Sequence, residues 1–231
     1  MIPVIEPPNL ASSNNIKAFF TTKIFVKDYD HINDALSKEL NISKDKIYLP
    51  IQKHTNKIHI LGSDHKPVVS DAVITDKKHI LIGVLVADCV PILVYDKMRG
   101  IIGAVHAGWR GTAKQILKET VMTMREKFGS LPVDISVAIG PSIRQCSYEV
   151  DEYVSNAVLD ATGEGDYYRR QGNKYFIDLS SANRIQTLNM GILSKNIWQS
   201  DECTFCKPEK YYSYRYSKGL SGRQGGFIGL W

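Results

Sequence analysis

Two short β-prone apolar runs, Ile92–Tyr95 and Ile101–Val105, flank the turn-rich segment Asp96-Lys97-Met98-Arg99-Gly100, and this pattern predicts a β-hairpin. The hairpin constrains more than its own strands. Cys89 and His106 are 17 residues apart, and their midpoint falls between Lys97 and Met98, inside the turn. Antiparallel pairing therefore brings the two side chains to the same end of the hairpin, roughly 5 Å apart at Cβ if they stand directly opposite. A thiol and an imidazole so placed serve as two metal ligands, or as a nucleophile and its base.

The rest of the chain alternates short strands with a few helices. Strands are expected at Ile47–Ile51, Lys57–Leu61, Asp71–Thr75, Ile80–Val86, Val133–Ile139, Tyr175–Asp178 and Tyr211–Arg215. Ala113, Leu117, Val121, Met124 and Phe128 recur at spacings of four, four, three and four, which predicts a helix over Thr112–Phe128 with one buried stripe and a stop at Gly129. Further helices are expected around Glu152–Asp160 and Ser181–Asn189, the latter capped by Asp178 or Ser180. Hairpins mixed with single helices indicate an α+β or mixed-sheet fold, not a doubly wound parallel one.

Composition narrows the function classes. At 231 residues and 43% hydrophobic, the chain can bury a substantial core and is read as a single domain over residues 1–231. No apolar run approaches the ~18 residues of a membrane span, and no secretion signal is evident, so the expected location is the reducing cytoplasm. The net charge of +5 is mild and its basic residues are scattered. Nucleic acid is therefore not expected as a ligand, while a small anion such as phosphate stays compatible. Four cysteines, at 89, 146, 203 and 206, are too few for a disulfide scaffold. With no second pair nearby in sequence, Cys203-Thr-Phe-Cys206 reads as two ordinary thiols ahead of a metal site.

Several segments carry residues suited to chemistry. His106-Ala-Gly-Trp-Arg-Gly111 ends a strand just before the long helix, so its glycines admit close backbone approach and the helix start offers N–H groups to an anion. Arg110 adds a bidentate donor. The plainer reading is a packed strand-to-helix turn. Cys89 taken alone is an inert buried thiol; His106 as a partner, or a metal, favours its thiolate. His54 alone reads as a surface or core histidine. Tyr211-Tyr-Ser-Tyr-Arg215 through Gly222-Arg223 sets arginines and aromatics around a loop, suited to an aromatic or phosphate-bearing ligand, or else forms an edge hairpin.

Taken in order, Gln52-x-His54, Asp71-Ala72, Ala87-Asp88-Cys89-x-Pro91, His106-Ala-Gly-Trp-Arg-Gly111, Ile139-Gly-Pro141 with Tyr148-Glu149-Val150, Cys203-Thr204 and Ser213-Tyr-Arg215 with Gly222-Arg223 form a series. It resembles the YfiH-like family, once named multicopper polyphenol oxidoreductases or laccases and now regarded as purine nucleoside phosphorylases. The resemblance implies two mixed β-sheets packed together and flanked by helices. It also implies Zn²⁺ held by His54, Cys89 and His106, phosphorolysis of purine nucleosides (adenosine, inosine, guanosine, methylthioadenosine), and adenosine deamination. Three departures stand out. Phe20-Thr-Thr-Lys23 replaces a Thr-Arg followed by a Gly-rich loop that is shortened or lost; Asp34 follows Asn33 where the family has Arg; and Arg215-Tyr216 replaces an Arg-Arg pair.

The leading expectation is a zinc enzyme acting on purine nucleosides and phosphate. Two histidines and a thiolate leave a fourth zinc position open, and water there would account for deamination. Gln52, Arg110, Tyr148, Tyr214, Arg215 and Arg223 are the candidate substrate and phosphate contacts. A four-copper laccase needs on the order of ten histidine ligands, and this chain has six histidines. A single copper substituting for zinc survives that arithmetic. The same residues also suit a metal-free Cys89/His106 hydrolase, or a non-catalytic binding protein that zinc only staples together.

Overall fold

The computed structural model describes residues 3–11, 15–23, 32–220 and 222–231. In chain order its strands begin with β1 (Val4–Ile5), β2 (Ile16–Thr21), β3 (Ile47–Tyr48), β4 (Ile58–Ile60), β5 (Ala72–Thr75), β6 (Leu81–Val86) and β7 (Val90–Asp96). They continue with β8 (Ile101–Ala107), β9 (Ile135–Ile139), β10 (Glu149–Val150), β11 (Tyr168–Gln171), β12 (Lys174–Ile177), β13 (Ile197–Gln199) and β14 (Gln224–Leu230). The helices are α1 (Pro8–Ala11), α2 (Ile32–Leu40), α3 (Trp109–Ala113), α4 (Ile116–Phe128), α5 (Glu152–Thr162) and α6 (Leu179–Asn189).

Two mixed sheets dominate, in the orders β1-β2-β14-β6-β3 and β13-β9-β7-β8-β5-β4, and a small antiparallel sheet β10-β12-β11 is added to them. The two large sheets pack face to face through Phe20, Ile82, Val84 and Ile228 on one and Val73, Leu93, Ile102 and Ala104 on the other. The opposite face of the six-stranded sheet, with Ile92, Val94 and Val105, packs against α4, α5 and α6. Because β7 and β8 are covered on both faces, they read as unbroken apolar runs instead of alternating ones. No helix among the described residues is long and apolar enough to cross a membrane.

The hairpin forms with a shifted register. Pro91 stands opposite His106 and Asp96 opposite Ile101, so Cys89 lies diagonally from His106 instead of directly across. The cause is the turn. Asp96 belongs to the strand, and its Oδ1 accepts from the N–H groups of Met98 (2.9 Å) and Arg99 (3.1 Å), which closes the loop over residues 97–100. Since Cys89 and Pro91 are two residues apart, Cys89 still shares a face with His106.

The expected helix Thr112–Phe128 is two helices. Gln115 adopts a left-handed φ of 54° and separates α3 from α4, although Leu117, Val121 and Met124 form the predicted buried stripe and Gly129, at φ 71°, ends it. Asp178 caps α6 by accepting from Ser181 N–H. The expected strand Tyr211–Arg215 is a turn, because side chains take up its backbone groups. Gln224 pairs with both the N–H and C=O of Tyr212, and Asp88 accepts from Arg215 N–H.

Candidate active site

Asp71 organises one side of the site. It is fully buried immediately before β5, and its carboxylate accepts from the N–H groups of His54 (3.0 Å) and Thr55 (2.6 Å) and from Thr55 Oγ1 (2.7 Å). This grip bends the Gln52–Thr55 segment over the end of the sheet, with His54 in a left-handed conformation at φ 57°. His54 Nε2 thereby comes to 3.9 Å from Cys89 Sγ. The same carboxylate accepts from His106 Nδ1 at 2.7 Å. This bond fixes the imidazole and leaves its Nε2 for the space between His54 and Cys89.

Asp88 organises the other side. It sits between β6 and β7 at φ 85° and accepts from Thr204 Oγ1 (2.6 Å), Ser213 Oγ (3.0 Å) and Arg215 N–H (2.7 Å). Its own carbonyl accepts from Ile143 N–H at 3.0 Å. Three distant loops are thus drawn to the residue next to Cys89. Gly108 is required by close approach, since a Cβ there would stand 3.0 Å from Cys89 Sγ and 3.2 Å from His54 Cδ2.

The ligand atoms of His54, Cys89 and His106 all lie within 4.8 Å of one another, and the two imidazole rings meet edge to face at 4.9 Å. Burial opposes the Cys89 thiolate, but the His106 charge and hydrogen bonds from His106 and His54 outweigh it and bring the thiol down to about 6. His106 moves the other way, to about 9: burial resists its charge, and the Cys89 thiolate and the Asp71 bond overcome that resistance. Burial alone would raise Asp71, yet the bonds from His106 and Thr55 hold it well below the usual carboxylate range. A deprotonated thiol, two imidazoles and a carboxylate orienting one of them match the donor set of a metal centre.

One cavity of about 510 Å³ contains this cluster, and Gln52, Arg110, Tyr148, Tyr214, Arg215 and Arg223 line its walls. The structure therefore places all nine candidate metal, catalytic and substrate residues around one cavity. Gln52 is already engaged: its amide donates to Leu85 C=O and accepts from Leu85 N–H, both at 2.8 Å. Arg215 donates to Glu149 C=O at 2.8 Å and lies over the Tyr148 ring; Arg110 stacks on Trp109. Burial, followed by the Cys89 charge, pushes the Tyr148 phenol up, so it keeps its proton. The expected helix start after His106 is only the five-residue α3, not the start of the long helix. Among the departures, Asp34 pairs with Lys44 and Tyr216 packs edge-on against Phe205. The residues after Lys23, where the Gly-rich loop would stand, lie largely outside the described residues.

Asp71 and Asp88 were visible in the sequence only as motif members. Their roles are set by chain segments 16 to 127 residues away, a separation that carries no periodic signal.

Residues 29–231 match the family model described as multi-copper polyphenol oxidoreductase laccase. The chain belongs to this family. Among its relatives, the purine nucleoside phosphorylase YlmD of Bacillus subtilis is 39% identical over 95% of this chain and 90% of its own length. A purine nucleoside phosphorylase of Aquifex aeolicus is 35% identical over 84% of this chain and 94% of its own. The crystal structure of YlmD from Geobacillus stearothermophilus superposes with a TM-score of 0.88 at 29% identity, covering 96% of this chain and 93% of that one. That of Bacillus licheniformis YfiH gives 0.85 at 27% identity, covering 94% and 93%. The word laccase in the family's description does not bring a four-copper centre with it, because the six histidines of this chain are too few.

Proposed function

We propose that this protein is a purine nucleoside phosphorylase that binds Zn²⁺ through His54, Cys89 and His106, and that it also deaminates adenosine. The observation that carries the reading is the single cavity in which a metal-capable triad, three arginines and two tyrosines converge. The relatives named purine nucleoside phosphorylase supply the reaction class.

Phosphorolysis needs phosphate held beneath C1′ of the ribose, so that a phosphate oxygen bonds to C1′ as the bond to the purine nitrogen breaks. Arg110, Arg215 and Arg223 are the cavity's cations for that anion. The protonated Tyr148 offers a hydrogen-bond donor, and the ring of Tyr214, more than half exposed, is a flank for base or ribose. Asp71 keeps His106 in one orientation and tautomer. Zinc, when bound, supplies Lewis acidity and activates water for attack at C6 of adenine. Copper suits the same donor set as a substitute.

One observation favours a second reading. A thiolate near pH 6, a charged His106 and a buried Asp71 behind it make the arrangement of a Cys/His hydrolase. Zinc content separates the two, since a thiolate engaged by a metal is withheld from nucleophilic attack.

Chromatography of the zinc-loaded protein with adenosine, in phosphate and in phosphate-free buffer, tests the proposal. Adenine and ribose 1-phosphate formed only with phosphate, and inosine in both, are the expected products. A folded, zinc-loaded protein that forms neither from adenosine, nor purine base and ribose 1-phosphate from inosine, guanosine or methylthioadenosine, would refute it.

A further inference from the structure

The Cys203-Thr-Phe-Cys206 motif takes no part in the site above, and the fold supplies the partner that it lacks in sequence. Cys146, on the loop after β9, has its Sγ 3.5 Å from that of Cys206. The sulfurs of Cys146, Cys203 and Cys206 all lie within 4.8 Å of one another, and all three are free thiols. Backbone pairing holds the two segments together: Ser142 bridges Cys203, and Thr204 N–H donates to Ser142 C=O at 3.1 Å. The motif itself closes as a single turn, with Lys207 N–H donating to the Cys203 carbonyl at 3.2 Å. Ser147 Oγ stands 3.2 Å from Cys206 Sγ and 3.5 Å from Cys146 Sγ.

We propose that Cys146, Cys203 and Cys206 form a second metal site, for a thiophilic d¹⁰ cation such as Zn²⁺, with a structural role. In tetrahedral zinc with bonds of about 2.3 Å, neighbouring sulfurs stand about 3.8 Å apart. The three sulfurs here are within about 1 Å of that spacing, so small side-chain rotations complete the site. C-x-x-C on one turn plus a thiol from a second segment is the arrangement of structural zinc sites. Ser147 Oγ or solvent completes the coordination. Loading forms three Zn–S bonds and breaks three S–H bonds; the protons pass to buffer and no group changes oxidation state.

The location gives the ion a purpose. The loop carrying Cys146 leads directly to Tyr148 in the cavity wall, and the turn carrying Cys206 holds Thr204, a donor to Asp88. A metal here cross-links the two segments that frame the Cys89 side of the site.

The test loads the full-length protein with zinc chloride, dialyses it against zinc-free buffer and counts zinc per chain. Two are expected in the unaltered protein, one in Cys89→Ala, one in the double variant Cys146→Ser/Cys206→Ser, and none in the triple combination. Because retention in Cys89→Ala is counted separately, failure here is distinguishable from failure at the His54 site. Alkylation of the unaltered protein followed by peptide mass mapping needs no variant: zinc should protect Cys206 and a chelator should expose it. No zinc retained by Cys89→Ala, together with alkylation of Cys206 unaffected by zinc, would overturn the proposal. So would a Cys146–Cys206 disulfide in protein purified under reducing conditions.

Discussion

The molecule brings together two clusters of three metal-capable side chains, and it builds them differently. Cys89 and His106 stand at one end of the β7–β8 hairpin and His54 on the loop between β3 and β4, and two buried carboxylates, Asp71 and Asp88, position them. Cys146, Cys203 and Cys206 sit on two surface segments joined by backbone pairing, with two of the three thiols exposed. The carboxylate-backed cluster holds its thiol at about 6, through the His106 charge against the penalty of burial. At the loop cluster the thiols diverge: partial desolvation and the Cys206 and Cys203 sulfurs raise Cys146 to about 11, whereas the Ser147 hydroxyl lowers Cys206. The contrast teaches that an arrangement suited to chemistry needs its protonation states and orientations set by neighbours, whereas a brace needs only donors brought close.

Removing the carboxylate support should have the largest effect. Asp71→Asn removes the charge and one of the two acceptor oxygens that His106 and the His54–Thr55 segment share, so metal affinity at the first cluster should fall about 10–100-fold. Stability should fall by about 3 kcal/mol, as expected when one partner of a buried charged pair is lost. Chelator competition and urea unfolding measure both. The loop cluster should be indifferent, and equal loss at both clusters would break the comparison.

Gly108→Ala should come next. The added methyl presses on Cys89 and His54, which costs about 1–3 kcal/mol of overpacking and weakens zinc at this cluster alone, again read by chelator competition. Arg223→Ala should raise the phosphate concentration for half-saturation by about tenfold, the scale of one charge-assisted hydrogen bond, with zinc content unchanged. Initial rates against phosphate check it, and unaltered phosphate saturation would remove Arg223 from the anion site.

A pH series sharpens the contrast without any substitution. In metal-free protein, Cys89 alkylation should be at its plateau above about pH 6 and fall as pH drops through that value, because the thiolate is then protonated. Cys146 should alkylate appreciably only at much higher pH. The same shifts enter stability with opposite signs: the Cys89 contribution to the metal-free fold is lost as pH falls through about 6, and the His106 contribution as pH rises through about 9.

How far this was legible in the sequence varied by element. The β7–β8 hairpin was readable because two apolar runs and a turn are local signals. Its register was not, since the Asp96 side chain decides where the turn closes. The break at Gln115 has no glycine or proline to announce it. Central strand β14 carries Gly225, Gly226 and Gly229, which suggest a loop; a Cβ at Gly226 would meet Phe20 at 2.9 Å, so the glycines are there for packing. Cys89 and His106 were found by spacing. His54 needed the family resemblance, because the Asp71 grip that turns it inward is a tertiary contact. Cys146 joins a motif 57 residues away through a bridge that no local pattern encodes.

The central claim is that purine nucleoside phosphorolysis depends on the His54–Cys89–His106 cluster. The most direct measurement is the rate of ribose 1-phosphate formation from inosine at saturating phosphate, with zinc counted on the same samples, for the unaltered protein and Cys89→Ala. Cys89→Ala should lose one zinc per chain and its turnover together, while the unaltered protein retains both. A folded Cys89→Ala protein that lacks that zinc and still forms ribose 1-phosphate at the unaltered rate would contradict it.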